Sequence, residues 1–394
     1  MFRFLLAIAL LTAAPCYGAA QASGVERARV LRQASALRAN RQPDAAARVL
    51  NSFLSIHAED ADALTLLAQI RVDQGDRATA KDLLTRALAS SPNSPLANDT
   101  LGGLLLEEHR DPEAMDRFET VLSPDPRDKK ARDGELAAVT ELAVSARQAG
   151  SPDAALKALE HARTKLPDDP KLLLELGIQA TELGILPEAQ ETLKEARTLQ
   201  PNDPDVIYAL ARVELEEQQM PAAEADLRAY LAKRPADASA HYGLGHILAM
   251  EQRTAEARAE FEHSIQLQPV QTESYYQLGQ IELEVQHDAD AEPLFQKVLA
   301  RDPTHGGALT GVGIIAFRKK DYAQAEQYLV RAEKTAPDYQ PAHYYRGLAL
   351  ARLGQKEESQ RELQLAIELD RKQQGPPGAL AGASANVDTA AAPH

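Results

Sequence analysis

The sequence predicts an all-α fold built from one short helix–turn–helix segment that recurs along the chain. Three observations support this prediction. The chain is rich in Ala, Leu, Glu and Arg, which favour helices, while aromatic residues make up only 5%. Apolar residues recur at steps of three and four, which places them on one face of a helix. Prolines recur at a fixed interval, which indicates a repeat.

The prolines set the length of the repeat. Every interval between them is 34 residues except one, which is 41. The series is Pro92, Pro126, Pro167, Pro201, Pro235, Pro269, Pro303 and Pro337. Because proline has no N–H to donate, each is expected to end the second helix of its repeat.

Small and large apolar residues keep the same register as the prolines. The small positions are Ala34, Ala68, Gly102, Ala143, Gly177, Ala211, Gly245, Gly279, Gly313 and Gly347. Sixteen residues after each comes Leu or Phe: Leu50, Leu84, Phe118, Leu159, Leu193, Leu227, Phe261, Phe295, Leu329 and Leu363. A small side chain lets two helices approach closely, and the larger residue is expected to fill the space between them.

Each repeat divides into a first helix, a tight turn and a second helix. A Gly, Asn, Gln, His or Lys near the middle of the repeat interrupts the apolar pattern, which predicts the turn. After the proline, an Asp or Asn is placed to cap the next helix, as in Asp169-Pro170 and Asp203-Pro204.

A 34-residue helix–turn–helix with these small, apolar and proline positions resembles the tetratricopeptide repeat (TPR) family. The resemblance covers residues 27–373 and implies a TPR solenoid, a right-handed superhelix of about ten repeats. The predicted repeats are 27–60, 61–94, 95–128, 136–169, 170–203, 204–237, 238–271, 272–305, 306–339 and 340–373. Gln33 and Arg346 replace apolar residues in the first and last repeats, which fits terminal repeats that lack one neighbour.

One insertion interrupts the regular spacing. Residues 129–135 (KKARDGE) precede the fourth repeat. Seven residues make about two helical turns, so a helix lengthened by them keeps its apolar face in nearly the same direction. We therefore interpret the insertion as a longer first helix; the alternative is a short loop around Gly134.

The two ends of the chain are predicted to lie outside the repeats. Arg3, the apolar run 4–14 and the A-x-A sequence at 20–22 are typical of a signal peptide, residues 1–22, which predicts a periplasmic or secreted protein. The alternatives are an uncleaved anchor or a fortuitous apolar end. Pro15 before Cys16 argues against a lipoprotein. No segment after the signal is apolar enough to span a membrane, and residues 374–394 are predicted to be disordered.

Composition and motifs argue against several functional classes. The formal net charge of −15 is opposite to what nucleic-acid binding needs. A single Cys excludes a disulfide framework and a Cys-based zinc site. The histidines lack H-x-x-x-H spacing, and no nucleophile or nucleotide-binding motif occurs. We therefore expect no enzymatic activity, no cofactor and no metal. His241 and His343 take the position of a bulky packing residue.

The family resemblance implies that the first helices line a concave groove, where proteins of this kind bind their partners. The fifth residue of each repeat is expected to point into that groove, and four of these residues are tyrosines: Tyr208, Tyr242, Tyr276 and Tyr344. Exposed tyrosines suit a ligand-binding surface. Two interpretations remain open, a binding surface or packing between neighbouring first helices.

The thirteenth residue of each repeat forms a second column of candidate groove residues. It is acidic over most of the chain and basic near the end, and its members include Glu216, Glu284, Arg318 and Arg352. Such a gradient would orient a charged peptide; ordinary solvated charge is the alternative and the favoured interpretation.

Together these patterns predict a non-catalytic protein–protein interaction scaffold of the cell envelope. We expect it to bind a peptide or protein segment in the concave groove and not to bind nucleic acid. The alternative is a structural component of an envelope export or assembly machine for polysaccharide or pili, which rests on analogy of fold alone.

Overall fold

The computed structural model describes residues 14–374, and the side chains of residues 24–372. This part of the chain is all-α, as predicted. Most of the predicted signal (1–22) and, apart from Gln374, the predicted tail (374–394) lie outside the described residues.

The helices alternate as first and second helices along the chain. They are α1 (Ala14–Ala39), α2 (Pro43–Leu54), α3 (Ala61–Asp73), α4 (Arg77–Ser90), α5 (Pro95–Glu107), α6 (Asp111–Leu122), α7 (Lys129–Gln148), α8 (Pro152–Arg163), α9 (Pro170–Glu182), α10 (Leu186–Leu199), α11 (Pro204–Glu216), α12 (Met220–Leu231), α13 (Ala238–Met250), α14 (Thr254–Leu267), α15 (Thr272–Glu284), α16 (Asp288–Arg301), α17 (Gly306–Arg318), α18 (Tyr322–Thr335), α19 (Gln340–Arg352) and α20 (Lys356–Gln374).

The chain divides into two compact units, Met1–Val213 and Glu214–His394, here called the N-terminal and C-terminal units. In the N-terminal unit, hairpins such as α3–α4 and α5–α6 pack in sequence, each against the next. In the C-terminal unit, α13–α14, α15–α16, α17–α18 and α19–α20 do the same. Each unit therefore builds its core from contacts between neighbours in sequence.

The turn inside every repeat contains one residue with a left-handed backbone. These residues recur with the spacing of the prolines: Arg41, Gly75, His109, Gly150, Gly184, Gln218, Gln252, Gln286, Lys320 and Gly354. At Gly184 both hydrogen bonds of a Schellman C-cap motif are present. The Gly184 N–H donates to the Thr181 carbonyl at 2.9 Å, and the Ile185 N–H donates to the Ala180 carbonyl at 2.9 Å. The predicted tight turn is therefore a helix C-cap.

The small residue of each first helix packs on the large residue of the second helix, as predicted. A Cβ atom added at Gly245 would lie 2.9 Å from the Phe261 ring, and one at Gly279 would lie 2.8 Å from the Phe295 ring. Both rings are fully buried. At these two glycines the helices approach so closely that even a methyl group would collide with the partner ring.

The insertion lengthens a helix, as predicted. Helix α7 has 20 residues, whereas α3 has 13. The Asp128 side chain caps the start of α7 by accepting from the Ala131 N–H at 2.9 Å. Gly134 lies inside this helix against the Phe118 ring, so the alternative of a loop around Gly134 is wrong.

Candidate functional site: the inner surface of the first helices

Each unit contains a run of successive first helices that lie beside one another. In the N-terminal unit α1 contacts α3, α3 contacts α5, and α5 contacts α7. In the C-terminal unit the same holds for α13, α15, α17 and α19. The exposed side chains of neighbouring first helices therefore form one surface in each unit, which we call the inner surface.

The inner surface of the N-terminal unit contains a cavity of about 230 Å³. Four successive first helices contribute residues to its lining: Arg38 from α1, Gln69 from α3, Asp99 and Gly103 from α5, and Lys130 from α7. The first helices therefore form an open depression here, large enough for a side chain of a bound segment.

A chain of hydrogen bonds fixes one side of this cavity. Arg38 donates to the Gln69 Oε1 atom at 2.6 Å and pairs with Asp73 at 2.6 Å. The Gln69 side chain in turn donates to the Thr100 hydroxyl at 3.2 Å. The Arg38 guanidinium is therefore already engaged by α3, and the neighbouring amide is held in one orientation.

Asp99 is the exceptional residue of the cavity. Its side chain is only 6% exposed, and its Oδ1 atom has no hydrogen-bond partner among the described residues. The nearest cation is the Lys130 ammonium, 3.8 Å from the other carboxylate oxygen, Oδ2. Burial raises the pKa of the Asp99 carboxyl above its ordinary value, and Lys130 offsets part of that rise.

Two members of the tyrosine column pack within the fold. The Tyr242 ring lies 5.9 Å from the Phe261 ring, and the Tyr276 ring lies 4.7 Å from His305 and against Gly307. Burial raises the pKa of the Tyr276 hydroxyl, which also accepts a hydrogen bond from Gln280 at 2.8 Å. Both tyrosines therefore fit the interpretation that the column packs within the fold.

The other two tyrosines differ from each other in burial and in the unit that they belong to. Tyr344 is 42% exposed on α19, where its ring meets Tyr345 edge to face at 5.3 Å. Tyr208 is half-buried on α11 and belongs to the N-terminal unit. A binding role for the whole column stays a prediction, and Tyr344 is the member with the most accessible ring.

The charge column is exposed at three of its four predicted positions. Glu216, Glu284 and Arg352 are exposed. Arg318 is half-buried and donates to the Asp288 carboxylate at 2.6 Å and to the Leu283 carbonyl at 3.0 Å. The Arg318 guanidinium therefore joins α17 to the preceding hairpin, a role that the column alone did not predict.

His241 and His343 fasten the start of a first helix to the proline turn before it. The His241 Nε2 atom lies 3.0 Å from the Pro235 carbonyl, and the His343 Nε2 atom lies 2.8 Å from the Pro337 carbonyl. Asn98, at the same position of its repeat, donates to the Pro92 carbonyl at 2.9 Å. At these three residues, where the position is not aliphatic, a side-chain donor can therefore reach the proline carbonyl.

The second ring nitrogen of each histidine faces a carboxylate. His241 Nδ1 lies 2.6 Å from Glu260, and with His263 these residues bring three possible metal ligands within 4.8 Å of one another. His343 Nδ1 lies 2.7 Å from Glu362, and Glu333 completes a second such group. A search for H-x-x-x-H spacing misses both groups, because their members lie on different helices.

Arg346 occupies the centre of the His343 group. Its Nη1 atom lies 2.6 Å from Glu333 and 2.7 Å from Glu362. Burial alone would lower the pKa of His343, but its hydrogen bonds to Glu362 and to the Pro337 carbonyl raise it. The Arg346 guanidinium therefore pairs with both carboxylates, which explains why a polar residue replaces the usual apolar one in the last repeat.

Glu135 is a buried carboxyl that the sequence pattern did not reveal. It lies 34 residues after Leu101, at a position where other repeats have Leu67 and Leu176. Its side chain is fully buried, and neither carboxyl oxygen has a hydrogen-bond partner among the described residues. Burial raises the pKa of Glu135 to about 8, and the nearby Glu119 carboxylate contributes to the rise. If the 34-residue spacing is continued from Leu101 into the insertion, it identifies Glu135 as a carboxyl at a position that is usually leucine.

Across residues 14–374, no helix combines the length and the apolar character needed to cross a bilayer.

Family models match most of the chain. Models of the tetratricopeptide repeat match residues 31–95, 71–134, 146–213 and 341–373. A model of the TPR domain of cytochrome c-type biogenesis protein H matches residues 212–343. No curated protein matches the chain.

Solved structures resemble part of the chain. MamA (residues 41 to the end) from Desulfovibrio magneticus RS-1 is 25% identical, with a TM-score of 0.39 over 41% of this chain and 92% of its own. A tetratricopeptide repeat protein from Parabacteroides merdae is 17% identical, with a TM-score of 0.47 over 60% of this chain and 93% of its own. PilF from Pseudomonas aeruginosa is 20% identical, with a TM-score of 0.45 over 52% of this chain and 93% of its own.

Proposed function

Because the chain belongs to the tetratricopeptide repeat family, we propose that it is a non-catalytic scaffold that binds a peptide or protein segment on its inner surface. The cavity shared by four successive first helices carries this proposal. Its lining combines charged and amide side chains with apolar residues such as Leu104, a mixture suited to hold a peptide segment rather than to bury it in an apolar groove.

The distribution of perturbed titratable groups supports a binding role over catalysis. Catalysis needs such groups to converge on one pocket. Asp99, on α5, lines the cavity. Glu135, on α7, is buried in the core, and Glu333, on α18, pairs with Arg346. Glu333 shares its cluster with His343, but this cluster, Asp99 and Glu135 have separate environments, so the three are not arranged around a common substrate.

We place this scaffold in the cell envelope or outside the cell on the strength of the N-terminal sequence. A basic residue, an eleven-residue apolar run and a small-residue A-x-A sequence follow one another at the start of the chain. Sequencing the amino terminus of the protein purified from its native cells tests this location. The proposal predicts a first residue near Ser23; a chain that starts at Met1 contradicts it.

A second candidate function is participation in c-type cytochrome biogenesis. The match of residues 212–343 to the TPR domain of cytochrome c-type biogenesis protein H favours it. Deleting the gene tests this function, with covalently bound haem in c-type cytochromes as the readout. Loss of that haem supports the candidate, and an unchanged amount contradicts it.

Site-directed photo-cross-linking in native cells tests the scaffold function. A photoreactive amino acid is placed on the inner surface at Glu107 or Tyr344 and, as matched controls, at the exposed second-helix positions Asp82 and Glu262. Glu107 suits a large probe because it lines the same cavity and its side chain is 50% exposed.

The proposal predicts discrete protein adducts from the inner positions and few or none from the controls. Far-UV circular dichroism of each variant verifies that the fold is retained. Adducts that arise equally from both sets of positions, or from the second helices alone, would contradict binding on the inner surface.

A further inference from the structure

We propose that the cavity around Asp99 is a subsite for the ammonium group of a lysine side chain in the bound segment, with the Asp99 carboxylate as the recognising group. This inference rests on the proposed scaffold function and specifies one chemical feature of its partner. The subsite lies entirely within the N-terminal unit.

Asp99 offers a buried acceptor that lacks a hydrogen-bond partner among the described residues. A carboxylate removed from water is destabilised unless hydrogen bonds or an opposite charge compensate it. Asp99 is 6% exposed, and its Oδ1 atom has no partner among the described residues although the side chain lines the cavity. A ligand that donates a hydrogen bond to this oxygen would supply what the fold does not.

The cationic side chains of the cavity bear on the sign of the ligand's charge. Arg38 is engaged by Asp73 and Gln69, so its positive charge is already compensated. Lys130 is drawn to Asp99, but its Nζ atom stays 3.8 Å away and its side chain is 60% exposed. Within the described part of the chain, the Asp99 Oδ1 atom therefore still lacks a hydrogen-bond donor. A cationic donor forms a stronger hydrogen bond with a carboxylate than a neutral donor does.

The shape of the cavity limits the size of the ligand. A volume of about 230 Å³ is below the range of small-molecule pockets and suits one long side chain. Val72 and Leu104 give the lining an apolar part that can contact a (CH₂)₄ stem, and Gly103 leaves space beside them. A single oxygen without a hydrogen-bond partner in the described chain, Oδ1, matches the compact ammonium of lysine better than the two-pronged guanidinium of arginine.

The test uses the full chain and three small probes. These are Nα-acetyl-lysine methylamide, the norleucine analogue, which keeps the stem without the charge, and the glutamate analogue. Binding is followed by NMR through the amide resonances of Thr100 and Leu104. The variants are Asp99→Asn, which keeps the shape, Gly103→Leu, which fills the cavity, and Asp82→Asn on α4 as an exposed control.

The lysine probe is expected to shift these resonances saturably and to bind at least about tenfold more tightly than the norleucine probe. Asp99→Asn should weaken lysine binding by at least about tenfold, Gly103→Leu should abolish it, and Asp82→Asn should leave it unchanged. Circular dichroism reports whether each variant folds, and Gly103→Leu keeps the test decisive if Asp99→Asn does not.

Equal binding of the lysine and norleucine probes, preference for the glutamate probe, or full lysine binding by both variants overturns the proposal. If the lysine probe fails while inner-surface cross-links persist, this subsite is wrong and the scaffold stands. If the lysine probe binds but the inner surface yields no adducts, the amine site stands and the scaffold function fails.

Discussion

At the scale of single residues, Glu135 is the clearest departure from the repeat pattern. A carboxyl with a folded-state pKa of about 8 and an ordinary value of 4.5 binds its proton more tightly in the folded chain. The folded state therefore holds more protons than the unfolded state between those values. The contribution of Glu135 to the free energy of unfolding is therefore largest at low pH. Between the two pKa values it falls by roughly 1.4 kcal/mol for each pH unit.

We predict that the wild-type chain loses roughly 4 kcal/mol of unfolding free energy between about pH 5 and about pH 8.5 through this group. Glu135→Leu, which restores the residue of other repeats, should remove that loss and stabilise the chain at the higher pH. Urea unfolding at both pH values measures the effect, with the exposed Glu262→Gln as control. Parallel pH profiles for wild type and Glu135→Leu would refute this account of the buried carboxyl.

The tyrosine column allows a second prediction at this scale. Tyr276→Ala should destabilise the chain by about 2–4 kcal/mol, because the ring packs on Phe295 and His305. Tyr344→Ala should change stability by no more than about 0.5 kcal/mol, because its ring is 42% exposed. Thermal unfolding distinguishes the two. Equal losses would mean that exposure does not separate packing from surface tyrosines here.

The sequence predicted the small and large apolar residues well because each recurs in all ten repeats. Residues that occur once were harder to interpret. With the fourth repeat predicted to begin at residue 136, its seventh position is Leu142, an ordinary apolar residue. The assignment therefore gave no sign that Glu135 occupies a core position. Arg318 was placed in a surface column, yet its pairing with Asp288 depends on how two hairpins pack.

At the scale of helices, the close approach within each hairpin explains a pairing in the sequence. Each of the three phenylalanines at the large position faces a glycine: Gly102 with Phe118, Gly245 with Phe261, and Gly279 with Phe295. Alanine occurs at the small position only opposite leucine, as in Ala68 with Leu84. The large residue therefore limits the small one: phenylalanine occurs only opposite glycine, whereas leucine occurs opposite alanine or glycine, as in Gly177 with Leu193.

We predict that Gly245→Ala destabilises the chain by about 1–3 kcal/mol, because its methyl group collides with the Phe261 ring. In a Phe261→Leu background the same change should stabilise by up to about 1 kcal/mol, because alanine favours a helix more than glycine does. Chemical denaturation of the four proteins completes this double-mutant cycle. Additive effects would show that the two residues do not share space.

Helix order and the lengthened α7 were predictable because the periodicity specifies them locally. The meeting of His241 with Glu260 was not, although the same 19-residue separation joins His343 to Glu362. Both pairs link the fourth position of a first helix to the second helix of the same repeat. Once the hairpin geometry is known, the 19-residue separation from the fourth position of a first helix can be used to find further pairs between the two helices of a repeat.

At the scale of the whole molecule, the sequence specifies the family but not what the protein binds. Repetition determines the fold because each hairpin buries its neighbour in the same way. A partner is recognised by residues that break the repetition, such as Asp99 and Lys130, and their meeting at one cavity depends on stacking of α5 and α7. Neither the division into two compact units nor this cavity followed from the spacing of the motifs.

The central claim is that a partner segment occupies the inner surface of the first helices. Hydrogen–deuterium exchange of the full chain, with and without the partner identified by photo-cross-linking, tests it most directly. The account predicts added protection in first helices, including α3, α5 and α7, with little change in α4 and α6. Protection concentrated in the second helices, with the first helices unchanged, would contradict it.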